Sequence, residues 1–178
     1  MSLNRRRIES LKCYEVCFRA RRTLPLVAYY TIELLIASAL ARAQRDNKVI
    51  ICHDIWNGSH THKILIALDA AKFVNFLGEV QKKITDCLKC LLGIDYINVW
   101  EGRPLIIKLE SLGDVKNRIA YLYNNPVNDN LVETIDKFPG YSSWTKFQSN
   151  LGKLDAKPTE YVPWIKLPTI RTIPSPVL

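Results

Sequence analysis

The stretch KVIICHDIWNGSHTHKILIAL, residues 48–68, decides the fold. Residues 48–56 are rich in β-formers, Asn57-Gly58-Ser59 signals a turn, and HTHKILIAL (60–68) returns as the second arm of a hairpin. Residues i and i+2 of a strand share a face, so His60, His62, Ile64 and Ile66 project from one side. The chain has three histidines, so two of them at this spacing call for a reason. Two neutral imidazoles beside an apolar face make half of a metal site. The plainer alternative is one satisfied, partly buried histidine next to a surface one. His53, in the first arm, reads as a sheet residue.

Outward from the hairpin, the pattern alternates. KCYEVCFRA (12–20) is a strand, and TIELLIASALARAQRD (31–46) sets Ile32, Leu35, Ile36, Ala39, Leu40 and Ala43 on one helical face. After the hairpin, Asp69 can cap a long helix in which Phe73, Leu77, Val80, Ile84, Leu88 and Leu91 recur at helical steps up to Gly93. YINVW (96–100) and RPLIIKLE (103–110) read as two further strands around Gly102, and residues 114–124 as a helix that Pro126 must end. Helices alternating with hairpin-joined strands predict an α+β fold, a ferredoxin-like sandwich of antiparallel sheet and helices. Five of the nine prolines lie at or beyond Pro158. We therefore expect one domain over residues 1–150 and an extended, Pro-rich tail over 151–178.

Composition narrows the function. With 178 residues, 48% of them hydrophobic, the chain can bury a proper core. The five cysteines (Cys13, Cys17, Cys52, Cys87, Cys90) are odd in number and widely spaced, which fits a reduced, cytoplasmic protein better than a disulfide framework. The opening MSLNRRRIESLK lacks the apolar stretch of a signal peptide, and the most apolar helix is too short and too charged to span a membrane. A net charge of +8, with Arg5, Arg6, Arg7, Arg19, Arg21 and Arg22 near the start, points to a polyanion, most simply nucleic acid.

A second cluster lies in DVKNRIAYLYNNPV (114–127). Val115, Ile119 and Leu122 form the core stripe of this helix. At about 100° per residue, Tyr121 falls one step off the stripe and shares its flank with Asn117 and Asn125, while Tyr123 points well away. A half-buried tyrosine and a C-terminal asparagine before proline would give the same pattern.

Here the chain resembles the single-tyrosine HUH transposases, especially the REP-associated tyrosine transposases. YEVCFRARRTLPL is similar to their opening strand and arginine-containing turn, and WNGSHTHKILI to the strand carrying histidine–hydrophobe–histidine. VWEGRPLIIKLES is similar to the aromatic-rich hairpin, YLYNNPVNDNLV to the tyrosine helix with its Asn-Pro-Val ending, and FPGYSSW to the segment after it. The likeness covers about residues 12–144, and its last two motifs are the specific part. Thr61 stands where a hydrophobe is usual, and Gly58-Ser59 where many relatives have Pro-Asn, which loosens the turn before the histidines.

The resemblance implies DNA strand cleavage and rejoining on single-stranded or hairpin DNA, with Tyr121 as nucleophile and a 5′-phosphotyrosine intermediate. It implies a divalent ion, Mg²⁺ or Mn²⁺, on His60, His62 and an asparagine oxygen. Asn125 fits that position, with Asn124 and Asn117 as alternatives. The arginines named above are candidates for phosphate contacts and Trp100, beside a Gly turn, for base stacking. A monomer and a homodimer are both compatible with the sequence. The alternative function is a domesticated nucleic-acid-binding protein on the same fold without cleavage.

Overall fold

The computed structural model describes residues 8–21 and 30–149. Arg5, Arg6, Arg7, Arg22 and the tail 151–178 lie outside the described residues. The order is β1 (Lys12–Arg19), α1 (Tyr30–Asn47), β2 (Ile50–Trp56), β3 (His60–Ala67), α2 (Ala70–Leu92), β4 (Leu105–Leu109) and α3 (Leu112–Asn128). A 3₁₀ turn (Ile135–Lys137) and α4 (Trp144–Ser149) follow. The four strands form an antiparallel sheet in the order β2-β3-β1-β4. With α1 and α2 as the crossovers, this is the ferredoxin-like βαββαβ arrangement the alternating pattern predicts. Among the described residues no helix is long and apolar enough to cross a membrane.

Strand alternation sorts the side chains into two layers. Tyr14, Val16 and Phe18 of β1, with Trp56, Leu65 and Ala67, face α1 and α2, which contribute Leu35, Ile36, Phe73, Phe76 and Ile84 to one buried cluster. The other sheet face meets α3, where Ile55, Ile64, Leu109, Leu122 and Tyr123 form a smaller core. A β-bulge between Ile51 and His53 resets the alternation of β2. As a result, Ile51 packs against the first layer, Cys52 packs in the second, and His53 bonds Tyr123 of α3. Lys63 and Asp54, both fully buried, pair at 2.7 Å on the α1/α2 side, with the ammonium 3.9 Å from the centre of the Trp56 ring.

Local signals account for the helix ends. The Asp69 side chain accepts from the Lys72 amide at 2.7 Å, and Gly93 closes α2 in the left-handed conformation at φ 66°. Ser111 and Asp114 form a reciprocal capping box that starts α3 at Leu112, two residues before the expected start.

Two expectations are corrected. Residues 96–100 do not form a strand; Trp100 makes an isolated bridge to Ala20. The segment flanks β1 only where that strand ends, through Arg21 N–H to Val99 O at 2.9 Å and Glu101 N–H to Arg19 O at 2.8 Å. Its β-forming residues serve packing instead, with Val99 buried in the core. Pro126 does not end α3, which continues to Asn128. A proline this close to the C-terminus removes one N–H, and the backbone recovers at once: Asp129 N–H bonds Asn125 O and Leu131 N–H bonds Pro126 O, both at 2.9 Å. Asn125 therefore sits in an intact turn and is only 5% exposed.

Candidate active site

The site lies on the α3 side of the sheet, where β3 and β1 run beneath the middle of α3. The i, i+2 spacing does bring the histidines together: the His60 and His62 rings are 5.1 Å apart, edge to face at 89°. Above them, Tyr121 meets His62 with ring centroids 5.5 Å apart and planes at 84°. His62 is nearly buried, whereas Tyr121 is 44% exposed at the cavity mouth. The cavity holds about 420 Å³ and is lined by Glu15, Arg19, His60, His62, Arg118 and Tyr121, among others.

Each imidazole is held by its neighbours. His62 Nδ1 lies 3.0 Å from Glu15 Oε1, which orients the ring and turns Nε2 away from that bond. Burial and the neighbouring His62 hold the His60 pKa below its ordinary value, which favours the neutral ring. Its two polar contacts, Nε2 to Asn57 Nδ2 and Nδ1 to Ser59 Oγ, are long at 3.3 Å each. The Gly58-Ser59 turn is not loose, because Ser59 O accepts from the Ala20 amide at 2.7 Å and ties the hairpin to the end of β1.

The three candidate amides are separated by the structure. The Asn125 side chain is a buried neighbour of His60, whereas Asn124 and Asn117 are exposed. Asn117 faces a second hollow of about 400 Å³ on the far side of Arg118 and Tyr121. Among the described residues, no three His, Cys, Asp or Glu side chains converge to hold a metal. A third protein ligand beside the histidine pair would therefore be an amide oxygen. Two neutral imidazoles plus an amide oxygen suit a divalent ion of mixed N/O preference with open positions, so the residues present fit Mn²⁺ or Mg²⁺.

The other tyrosine is occupied. The Tyr123 hydroxyl lies 2.8 Å from His53 Nδ1 and 3.0 Å from Ser143 Oγ, and burial pushes its pKa up to about 12. His53 thus belongs to the Tyr123 network, on the strand edge away from the cavity. Trp100 is also committed to packing. Its indole N–H reaches Gln81 O and Thr85 Oγ1, each at 3.1 Å, and its ring stands edge-on to Phe18 and Trp56. The ring is half-buried against these two others. Arg19 lies opposite His60 in the sheet and lines the cavity, while Arg21 is exposed just past the strand end.

Glu15 and Arg118 were not anticipated. Arg118 precedes Tyr121 by three residues, so the helical spacing that groups Tyr121 with Asn125 could have found it. Glu15 touches the site only through strand pairing, and no local spacing reveals it.

No protein-family model and no curated protein matches this chain. Solved structures do. The chain is similar to a REP-associated tyrosine transposase bound to a REP hairpin, with 20% identity, a TM-score of 0.72, and coverage of 94% of this chain and 96% of that one. A second similar structure, from Deinococcus radiodurans R1 and described provisionally as a transposase, has 15% identity, a TM-score of 0.44, and coverage of 67% of this chain and 95% of that one. The first likeness establishes a shared fold over nearly the whole of both chains.

Proposed function

We propose that this chain is a single-tyrosine transposase of the REP-associated kind, which cuts and rejoins single-stranded or hairpin DNA with Tyr121 as nucleophile. One observation carries the reading. A tyrosine hydroxyl-bearing ring, exposed at a cavity mouth, stands 5.5 Å from a histidine whose neighbour two residues back is a second histidine. The shared fold with a transposase that holds a REP hairpin supports it.

His60, His62 and Asn125 would hold the ion, with Arg19 and Arg118 at the rim to receive a phosphodiester. When bound, a divalent ion supplies positive charge that polarises the phosphate and stabilises the charge developing in the transition state. The residues of the chain do the rest. Tyr121 attacks phosphorus in line with the leaving oxygen, the phenolic O–P bond forms and the P–O3′ bond breaks. The phenolic proton ends on the departing 3′-hydroxyl. The link is a phosphodiester like the one broken, so the reverse attack by a 3′-hydroxyl rejoins the strand. Tyr121 is suited to this role and Tyr123 is not, because the Tyr123 hydroxyl is buried in hydrogen bonds to His53 and Ser143.

The test is incubation with end-labelled single-stranded and hairpin oligonucleotides in the presence of Mn²⁺. Cleavage that EDTA stops supports the reading. Tight binding without cleavage under any divalent ion would instead make the chain a nucleic-acid-binding protein on this fold.

A further inference from the structure

Beneath Tyr121, one carboxylate joins two otherwise separate parts of the cavity. Glu15 projects from the middle of β1 into the α3 layer and is 4% exposed. A carboxylate buried to this degree needs compensation. Its two oxygens face two partners: Oε1 is 3.0 Å from His62 Nδ1, and Oε2 is 3.3 Å from Arg118 Nε, an ion pair without hydrogen-bond geometry. Arg118 in turn carries its guanidinium 5.8 Å from the centre of the Tyr121 ring. Arg118 has no other carboxylate partner among the described residues. Arg118 lines both the cavity and the second hollow.

We propose that Glu15 and Arg118 are positioning residues that lock the metal-binding face of His62 to the position of Tyr121, an inference that rests on the functional reading above. Glu15 holds the His62 proton on Nδ1, leaving the Nε2 lone pair for the ion and making the ring a stronger donor. Arg118 keeps Glu15 turned to that task by engaging its other oxygen, and lies against the nucleophile's ring as a cation over an aromatic face. Removing either group therefore weakens metal binding, although neither touches the ion.

The test uses Mn²⁺ itself as probe, titrated calorimetrically into the full chain, with melting curves as the fold control. Glu15→Gln keeps the shape but replaces the charged acceptor with a weaker one. It should weaken Mn²⁺ binding about tenfold or more. Arg118→Gln, a change at the half-exposed rim that leaves the sheet intact, should weaken it by a smaller factor and slow adduct formation at saturating Mn²⁺. Arg118→Lys, which restores the charge without the planar fork, should recover part of both losses. A merely structural role would lower the melting temperature and leave Mn²⁺ affinity unmoved. Folded Glu15→Gln and Arg118→Gln proteins with wild-type affinity, alongside a His62→Ala protein that has lost it, would overturn this inference alone. A wild-type chain that binds no Mn²⁺ would overturn the metal reading of the site and this inference with it.

Discussion

His62 of β3 and Tyr121 of α3 meet edge to face, their ring centroids 5.5 Å apart. They are distant in sequence, and the contact exists because α3 lies across the sheet face from which the odd-numbered residues of β1 and the even-numbered residues of β3 project. The core residues Ile64, Leu109 and Leu122 hold the helix there. The site is a by-product of that apolar seam, placed at its solvent end.

The histidine pair should bind one divalent ion as a unit. His60→Ala and His62→Ala should each lower Mn²⁺ affinity by at least tenfold; His60→Ala should barely change the melting temperature, whereas His62→Ala, which strips the buried Glu15 carboxylate of one partner, should lower it. Calorimetry gives the affinity and circular dichroism the fold. Equal affinity in wild type and the double variant would remove the metal from the account.

The amino-terminal arginines should contribute affinity that salt screens. Removing residues 1–7 deletes Arg5, Arg6 and Arg7 but spares Ile8, which packs against the main core. Each lost phosphate contact on single-stranded DNA should flatten the slope of log affinity against log salt by about 0.7. The change should therefore reach about 2, with the cleavage position unaltered. An unchanged slope would show that the arm does not touch DNA.

Lys63 and Asp54 test the core behind the histidines. Lys63→Met leaves the Asp54 carboxylate buried and unpaired, which should cost about 3–5 kcal/mol in chemical denaturation. Replacing both by apolar residues of similar volume should recover most of that loss. A loss under about 1 kcal/mol for Lys63→Met would mean that the pair contributes nothing to the fold.

His53 should make the fold sensitive to mild acid. Burial lowers its pKa below the ordinary 6.5. The unfolded chain then binds a proton more readily than the folded one. This contribution to stability is complete above the unfolded pKa and is lost as pH falls through the folded value. Melting temperature should fall from pH 7 to 5, less steeply in His53→Gln than in wild type. Parallel slopes would show that His53 is not the group responsible.

Much of this arrangement is legible in the sequence because it depends on local periodicity. The two-residue step aligns His60 with His62, and the helical step separates Tyr121 from Tyr123. What escapes depends on register between distant strands. Glu15 reaches His62 because Cys17 pairs with His62 and Glu15 with Ile64, a match that no local pattern specifies. The packing of Trp100 against Phe18 and Trp56 is likewise tertiary, and no pattern around its turn specifies it. Pro126 looked like a helix stop, yet a proline in the last turn costs only one hydrogen bond, and packing carries α3 past it.

The most direct test of the account is the covalent adduct between protein and DNA on a denaturing gel. Tyr121→Phe removes one oxygen from a half-exposed ring, so folding and DNA binding should be nearly unchanged while the adduct disappears. Tyr123→Phe takes a partner from His53 and Ser143 and should cost about 1–3 kcal/mol of stability, yet it should still form the adduct. Peptide mass should place the wild-type link on Tyr121. An adduct that persists in the Tyr121→Phe protein, mapped to Tyr123 or any other residue, would contradict the central claim.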